Sequence, residues 1–160
     1  MDAHTPHTTT PGKPGGALPV LAAPVRANPH YERLGGADVV ARLAEAFYRA
    51  MDELPEATTI RAMHEADLGA TQAVLQSYLS EWLGGPKLYS PIRGVPKLRR
   101  VHQPFAIDAS ARDAWMACMR RALAEVCVDE ALRAELDTAF YKIADFIRNT
   151  ATTPSTVPHP

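Results

Sequence analysis

Six histidines carry whatever imidazole chemistry this chain has, and four of them, His4, His7, His30 and His159, lie in or beside ends rich in proline and threonine. His64 and His102 are left inside the part able to fold. A neutral imidazole can hold a metal through one ring nitrogen while the other donates a hydrogen bond. His102, in Leu98-Arg99-Arg100-Val101-His102-Gln103-Pro104-Phe105, looks placed to hold a metal rather than to fill a core. Its plain rival is a residue that merely ends a helix. Tyr48 and Trp115 add an O–H and an N–H donor on apolar stripes, where either residue by itself reads as a core anchor with its polar atom at the rim. Cys118 and Cys127 stand nine positions apart. On a helix that is roughly 13 Å at about 1.5 Å rise per residue, too far for a disulfide. They read as free thiols, no Cys/His spacing suits structural zinc, and the absence of a disulfide framework fits a reducing cytoplasm.

The elements that would position these groups follow from composition and periodicity. At 160 residues the chain is long enough for one core and too short to expect two. Seventeen basic and 18 acidic residues leave a net charge of −1, without the basic footprint that nucleic-acid binding needs. The apolar run Ala17–Val25 is short and broken by Pro19 and Pro24, so neither a signal peptide nor a membrane span is expected. Of the fourteen prolines, six precede Tyr31 and three follow Thr150, which marks 1–29 and 151–160 as solvated tails around a domain at 30–150.

Within that domain apolar residues recur at three- and four-residue intervals, and no alternation is long enough for a strand. A first long helix is expected after Gly35-Gly36, capped by Asp38, with the stripe Val39/Val40, Leu43, Phe47, Ala50/Met51, ending at Pro55. Ile60, Met63 and His64 are spaced as one apolar turn. A second helix, capped near Asp67, carries Leu68, Thr71, Leu75, Tyr78/Leu79 and Trp82 and is stopped by Gly84-Gly85-Pro86. Lys87–Gly94 reads as loop, and Pro96–His102 as one or two helical turns ending before Gln103-Pro104. Asp108 or Ser110 caps a third helix (Ala111, Trp115, Cys118/Met119, Ala122/Leu123, Val126). Asp129 caps a fourth (Leu132, Leu136, Phe140, Ile143/Ala144, Ile147). The expectation is a compact all-α domain of two helix pairs crossing each other.

Several of these segments together resemble the truncated haemoglobins, and among them group II. The resemblance is carried by Tyr31-Glu32-Arg33-Leu34-Gly35-Gly36, Ala46-Phe47-Tyr48, Leu83-Gly84-Gly85-Pro86-Lys87-Leu88-Tyr89, Pro96-Lys97-Leu98-Arg99, His102-Gln103-Pro104-Phe105 and Arg112-Asp113-Ala114-Trp115. They run from about 31 to 149 in the family's order, and the thirteen positions from His102 to Trp115 also suit it.

The resemblance implies a globin-like, two-over-two helical sandwich around one haem b, with His102 as the proximal iron ligand and its other ring nitrogen donating to a backbone carbonyl such as that of Leu98. On the distal side it implies Tyr48, His64, Thr71, Leu75 and Trp115 around a bound gas. Tyr48 and Trp115 would donate to dioxygen, and His64 would donate a further bond or order a water. Thr71 would leave a wide passage and Leu75 an apolar wall. Phe47, Leu79, Phe105 and Met119 are expected along the haem, and Tyr89, Lys97 and Arg99 at its propionates. The chain departs from the family at Val95, where histidine often precedes the proline, and at Val101, where a basic residue normally stands. Arg100 is the remaining cation that could serve there. The connection between Tyr48 and His64 is also longer than in some members.

The implied function is tight binding of dioxygen, nitric oxide or another diatomic ligand, with slow oxygen release suited to redox chemistry such as nitric oxide dioxygenation or peroxide reduction. The chain holds no reductase module, so turnover needs an external reductant. The alternative is an oxygen carrier or gas sensor without turnover, with the proline-rich N-terminal segment as a docking tail. A monomer or weak homodimer is expected, with no nucleic acid or membrane as partner.

Overall fold

The computed structural model describes residues 28–151, and the expected tails fall outside them but for Asn28, Pro29 and Ala151. Every regular element among the described residues is helical: α1 (His30–Leu34), α2 (Ala37–Glu53), a 3-10 turn (Pro55–Ala57), α3 (Thr58–Arg61), α4 (Gly69–Trp82), α5 (Ser90–Arg93), α6 (Leu98–His102), α7 (Ala109–Val126) and α8 (Glu130–Ile147). The long helices are the four expected ones.

Three- and four-residue spacing decides which faces are inside. On α2 the buried side chains include Val40, Leu43, Phe47, Ala50 and Met51, which pack against α7 and α4. On α8 they are Leu132, Leu136, Phe140 and Ala144. Each such leucine or phenylalanine stabilises the fold by about 1.5–3 kcal/mol. Most of the core therefore belongs to α2, α7 and α8, whereas α5 and α6 contribute no buried residue.

The helix starts show where local signals suffice. Asp108 Oδ1 accepts from the Ala111 amide at 2.9 Å and Asp129 Oδ1 from that of Leu132 at 3.0 Å, so α7 and α8 open as their sequences require. Asp67 Oδ1 accepts from the Gly69 amide at 2.9 Å, just ahead of α4. Asp38 is not the cap of α2. The helix starts at Ala37 behind Gly36, whose φ of 76° few other residues adopt, and Asp38 lies in the first turn, where its charge suits the positive end of the helix.

Lys87–Gly94, expected as loop, contains α5. Its start is satisfied from a distance: the Glu81 carboxylate of α4 accepts from the amides of Tyr89 at 3.2 Å and Ser90 at 2.9 Å. Those two bonds hold Glu81 below the usual carboxylate range, the Ser90 backbone contributing most.

Two parts of the sequence signature meet at the far end of α4. The Tyr31 amide donates to the Leu83 carbonyl at 2.9 Å, and a Cβ on Gly85 would lie 2.3 Å from the Tyr31 ring. Only glycine lets the aromatic ring lie so close, so Tyr31 and Gly85 form one packing unit 54 positions apart in sequence.

Candidate functional site

A cavity of about 420 Å³ opens among α2, α3, α4, α6, α7 and α8, within the range of ordinary ligand pockets. Its walls are mainly apolar: Phe47, Ile60, Val74, Leu75, Leu79, Leu98, Val101, Phe105, Ile107, Phe140 and Ile143 all line it. The polar groups come from α2 (Tyr48), the turn after α3 (His64, Glu65), α4 (Thr71, Tyr78), α6 (His102) and α7 (Arg112, Trp115), with Tyr89 just ahead of α5.

His102, at the end of α6, lines the cavity, and its Nδ1 lies 2.7 Å from the carbonyl oxygen of Leu98, four residues back. A carbonyl can only accept, so Nδ1 carries the hydrogen and the neutral ring presents Nε2 as a lone pair. His64, in the turn after α3, repeats the device, with Nδ1 2.8 Å from the carbonyl oxygen of Ile60. With that N–H engaged, a neutral His64 offers Nε2 to the cavity as an acceptor, which suits an ordered water, the second of the two roles expected of it.

Tyr48 supplies the complementary group. It is 6 % exposed, burial pushes its phenol up to about 12, and its ring stands 5.7 Å from that of His64, edge to face. The hydroxyl therefore keeps its proton at any ordinary pH. Phe47 packs between Tyr48 and Trp115, with ring centroids 5.0 and 5.2 Å away, and Phe140 backs Trp115 at 5.9 Å. Neither the Tyr48 hydroxyl nor the Trp115 indole N–H has a protein acceptor among the described residues. Two donors without a protein partner thus line the cavity, available to whatever occupies it.

Of the residues singled out from sequence, Phe47, Tyr48, His64, Thr71, Leu75, Leu79, Tyr89, His102, Phe105 and Trp115 line this one cavity. Three do not. Met119, one turn beyond Trp115, is fully enclosed in the hydrophobic cluster. Arg99 turns outward, its guanidinium 5.4 Å from the centre of the Phe146 ring. Lys97 lines an adjoining shallow recess with Arg93 and Arg100, which shares Tyr89 and Val101 with the main cavity.

Two residues that hold the histidine-bearing segments escaped the sequence reading. Arg61 anchors the turn containing His64: its Nε donates to Asp52 of α2 at 2.6 Å, and its terminal nitrogens to the carbonyls of Glu65 at 2.9 Å and Ala66 at 3.1 Å. Asn149, just past α8, clasps the segment after His102. Its Nδ2 donates to the carbonyls of His102 at 3.2 Å and Phe105 at 2.8 Å, while its Oδ1 accepts from the Ile107 amide at 2.9 Å. The only local signal was an asparagine closing a helix, which says nothing of a partner 47 positions away.

The donor set limits what metal centre is possible. Among the described residues no group of three or more His, Cys, Asp and Glu could enclose an ion. An ion on His102 would have to bring its other ligands with it, as a metal in a flat organic macrocycle does, and the apolar walls on either side suit such a guest.

Comparison with known proteins agrees. A family described as bacterial-like globin matches residues 29–149. The chain is 32 % identical over 106 residues to a group 2 truncated hemoglobin of Bacillus subtilis, covering 66 % of this chain and 77 % of that one. Among solved structures, it is similar to a group II 2-on-2 hemoglobin from the plant pathogen Agrobacterium tumefaciens (38 % identity, 77 % and 95 % of the two chains, TM-score 0.74). It is similar also to a cold-adapted truncated hemoglobin from the Antarctic marine bacterium Pseudoalteromonas haloplanktis (36 % identity, 76 % and 98 %, TM-score 0.74).

Proposed function

The chain belongs to the bacterial-like globin family, in its group II truncated branch, whose members bind diatomic ligands at haem, and we propose that its cavity holds haem b between His102 and the side formed by Tyr48, His64 and Trp115. When bound, the haem supplies an iron centre that takes a diatomic ligand and exchanges electrons. His102 Nε2 would hold the iron, and the bond from Nδ1 to the Leu98 carbonyl fixes the ring and its tautomer. Thr71, Leu75, Leu79, Phe47 and Phe105 surround the macrocycle. Tyr89 and Lys97, with Arg100, face its carboxylates at the mouth, in place of the basic residues missing at Val95 and Val101. Arg99, directed at Phe146, is left out of that role.

The observation that carries the reading is that the unpartnered donors Tyr48 and Trp115 line the same mainly apolar cavity as a histidine whose Nε2 is free. Both would donate to a negatively polarised diatomic ligand such as dioxygen and would favour it over the less polarised carbon monoxide. A hydrogen bond to a charged oxygen contributes about 1.5–3 kcal/mol, and about 1.4 kcal/mol is tenfold in dissociation. Two such bonds slow oxygen release by orders of magnitude. Retention of that kind suits redox turnover, nitric oxide dioxygenation or peroxide reduction with an external reductant, better than delivery of oxygen.

One spectrum tests the haem site. The haem-loaded protein should show a Soret band that His102→Ala weakens or loses; the same band in both would refute the assignment of His102. Sustained consumption of nitric oxide in the presence of a reductant then separates turnover from carriage.

A further inference from the structure

Between Trp82 and Ile107 the chain carries five cations, Lys87, Arg93, Lys97, Arg99 and Arg100, and not one carboxylate, leaving twelve basic against eighteen acidic residues elsewhere. A net charge near zero therefore conceals a basic stretch on an otherwise acidic protein. None of the five is paired with a carboxylate of a described residue. Lys87 stands near Glu81, the one acid whose titration it influences. Arg93, Lys97 and Arg100 converge on the shallow recess beside the cavity, together with Val95 and Val101. Ile92 is 83 % exposed and Val95 77 %. Exposed aliphatic side chains rimmed by unpaired cations have the apolar centre and charged margin of a binding surface.

We propose that this face, formed by α5, α6 and the recess between them, docks an acidic electron-donor protein. Charge fixes the partner's sign: a haem in the cavity would bring two carboxylates to this mouth, so at least three of the five cations stay unmatched. Position fixes its role. The recess shares Tyr89 and Val101 with the cavity, so a protein seated there lies against the open edge of the guest, where a single electron has the shortest way to travel. One electron leaves the donor's reduced centre and the ferric protein takes it up, with no bond made or broken. The acidic remainder of the surface repels the same partner, which orients the encounter. Val101, in place of the family's basic residue, becomes part of an apolar centre ringed by charge. The proposal rests on the haem reading above.

The test uses the full haem-loaded chain and a strongly acidic plant-type [2Fe–2S] ferredoxin as the probe. Calorimetry at low ionic strength should show binding that weakens steeply with salt, and reduced ferredoxin should reduce the ferric protein at a rate that falls in parallel. Arg93→Glu and Ile92→Ser should each lower both by about 10-fold, while reduction by dithionite and the Soret band stay as they were. Arg42→Glu, the same charge change on α2, should have little effect. Ferredoxin binding indifferent to salt and to Arg93→Glu, or tighter binding to phosphatidylserine vesicles than to ferredoxin, would overturn the proposal. A missing Soret band would instead strike at the haem reading.

Discussion

The turn that carries His64 and the helix that carries His102 are built on one local plan and anchored in opposite ways. In both, Nδ1 donates to the carbonyl four residues back, and one polar side chain ties the segment down. On the His64 side that tie is Arg61, charged and bound to α2. Beneath it Ala57 and Ile60 are buried in the core. On the His102 side the tie is Asn149, neutral and bound only to backbone, and no residue of α5 or α6 is buried. The His64 wall is thus set by the core, whereas the His102 wall is suspended over it. A guest bound to His102 would complete the second wall, so that side should follow haem occupancy and the other should not.

The largest effects should come from the rigid side. Tyr48→Phe and Trp115→Phe should each raise the oxygen dissociation rate about 10- to 100-fold in stopped-flow experiments while leaving haem retention intact. Loss of haem in either would mean that the two walls are not independent. On the suspended side, Asn149→Ala should speed haem transfer to an acceptor protein by about 10-fold, the lower range for removing a group that orients a ligand, with oxygen dissociation nearly unchanged. Arg61→Ala should do the reverse, shifting oxygen dissociation by about 3-fold as the turn bearing His64 loosens, a loss of about 0.6–0.7 kcal/mol; if haem loss responds more, the comparison fails.

The smallest effect is set by acid. Glu81, which holds α5, is lowered chiefly by the Ser90 amide. Asp108, which caps α7, is lowered chiefly by the Ala111 amide, and Asp145 chiefly by its bond to Arg112 on the cavity wall. A carboxylate lowered in the folded state contributes stability that is complete above its ordinary value and fades as pH falls through the folded one. Melting temperature should therefore decline only below pH 4.5 to 3.8, the ordinary values of these groups. Asp145→Asn should flatten part of that decline, and an unchanged pH profile would remove Asp145 from the account.

What could be read in the chain divides along the same line. The stripes of α2, α7 and α8 and the caps Asp108 and Asp129 are local facts, expressed within four or five residues, and sequence inspection recovers them. So does the gathering of Tyr48, His102 and Trp115, once the spaced motifs are taken together. The misses are side-chain contacts that apolar periodicity does not encode. Glu81 starts a helix eight residues downstream, Arg61 and Asn149 reach backbone that periodicity cannot point to, and Arg99 finds an aromatic ring 47 positions away. Met119 was misplaced for a related reason: three- and four-residue spacing identifies a buried face but not which part of it borders a cavity.

The Asn149 clasp also bears on how the protein is made. His102 leaves the ribosome 47 residues before its clasp, an interval of about 2–10 s at ordinary rates of synthesis. Through that interval the segment beyond α6 has neither its backbone tie nor α8 beneath it, so a haem that arrives early meets half a site. Cofactor capture should accordingly follow completion of α8, and nascent chains stalled before residue 149 should retain haem poorly beside those released whole.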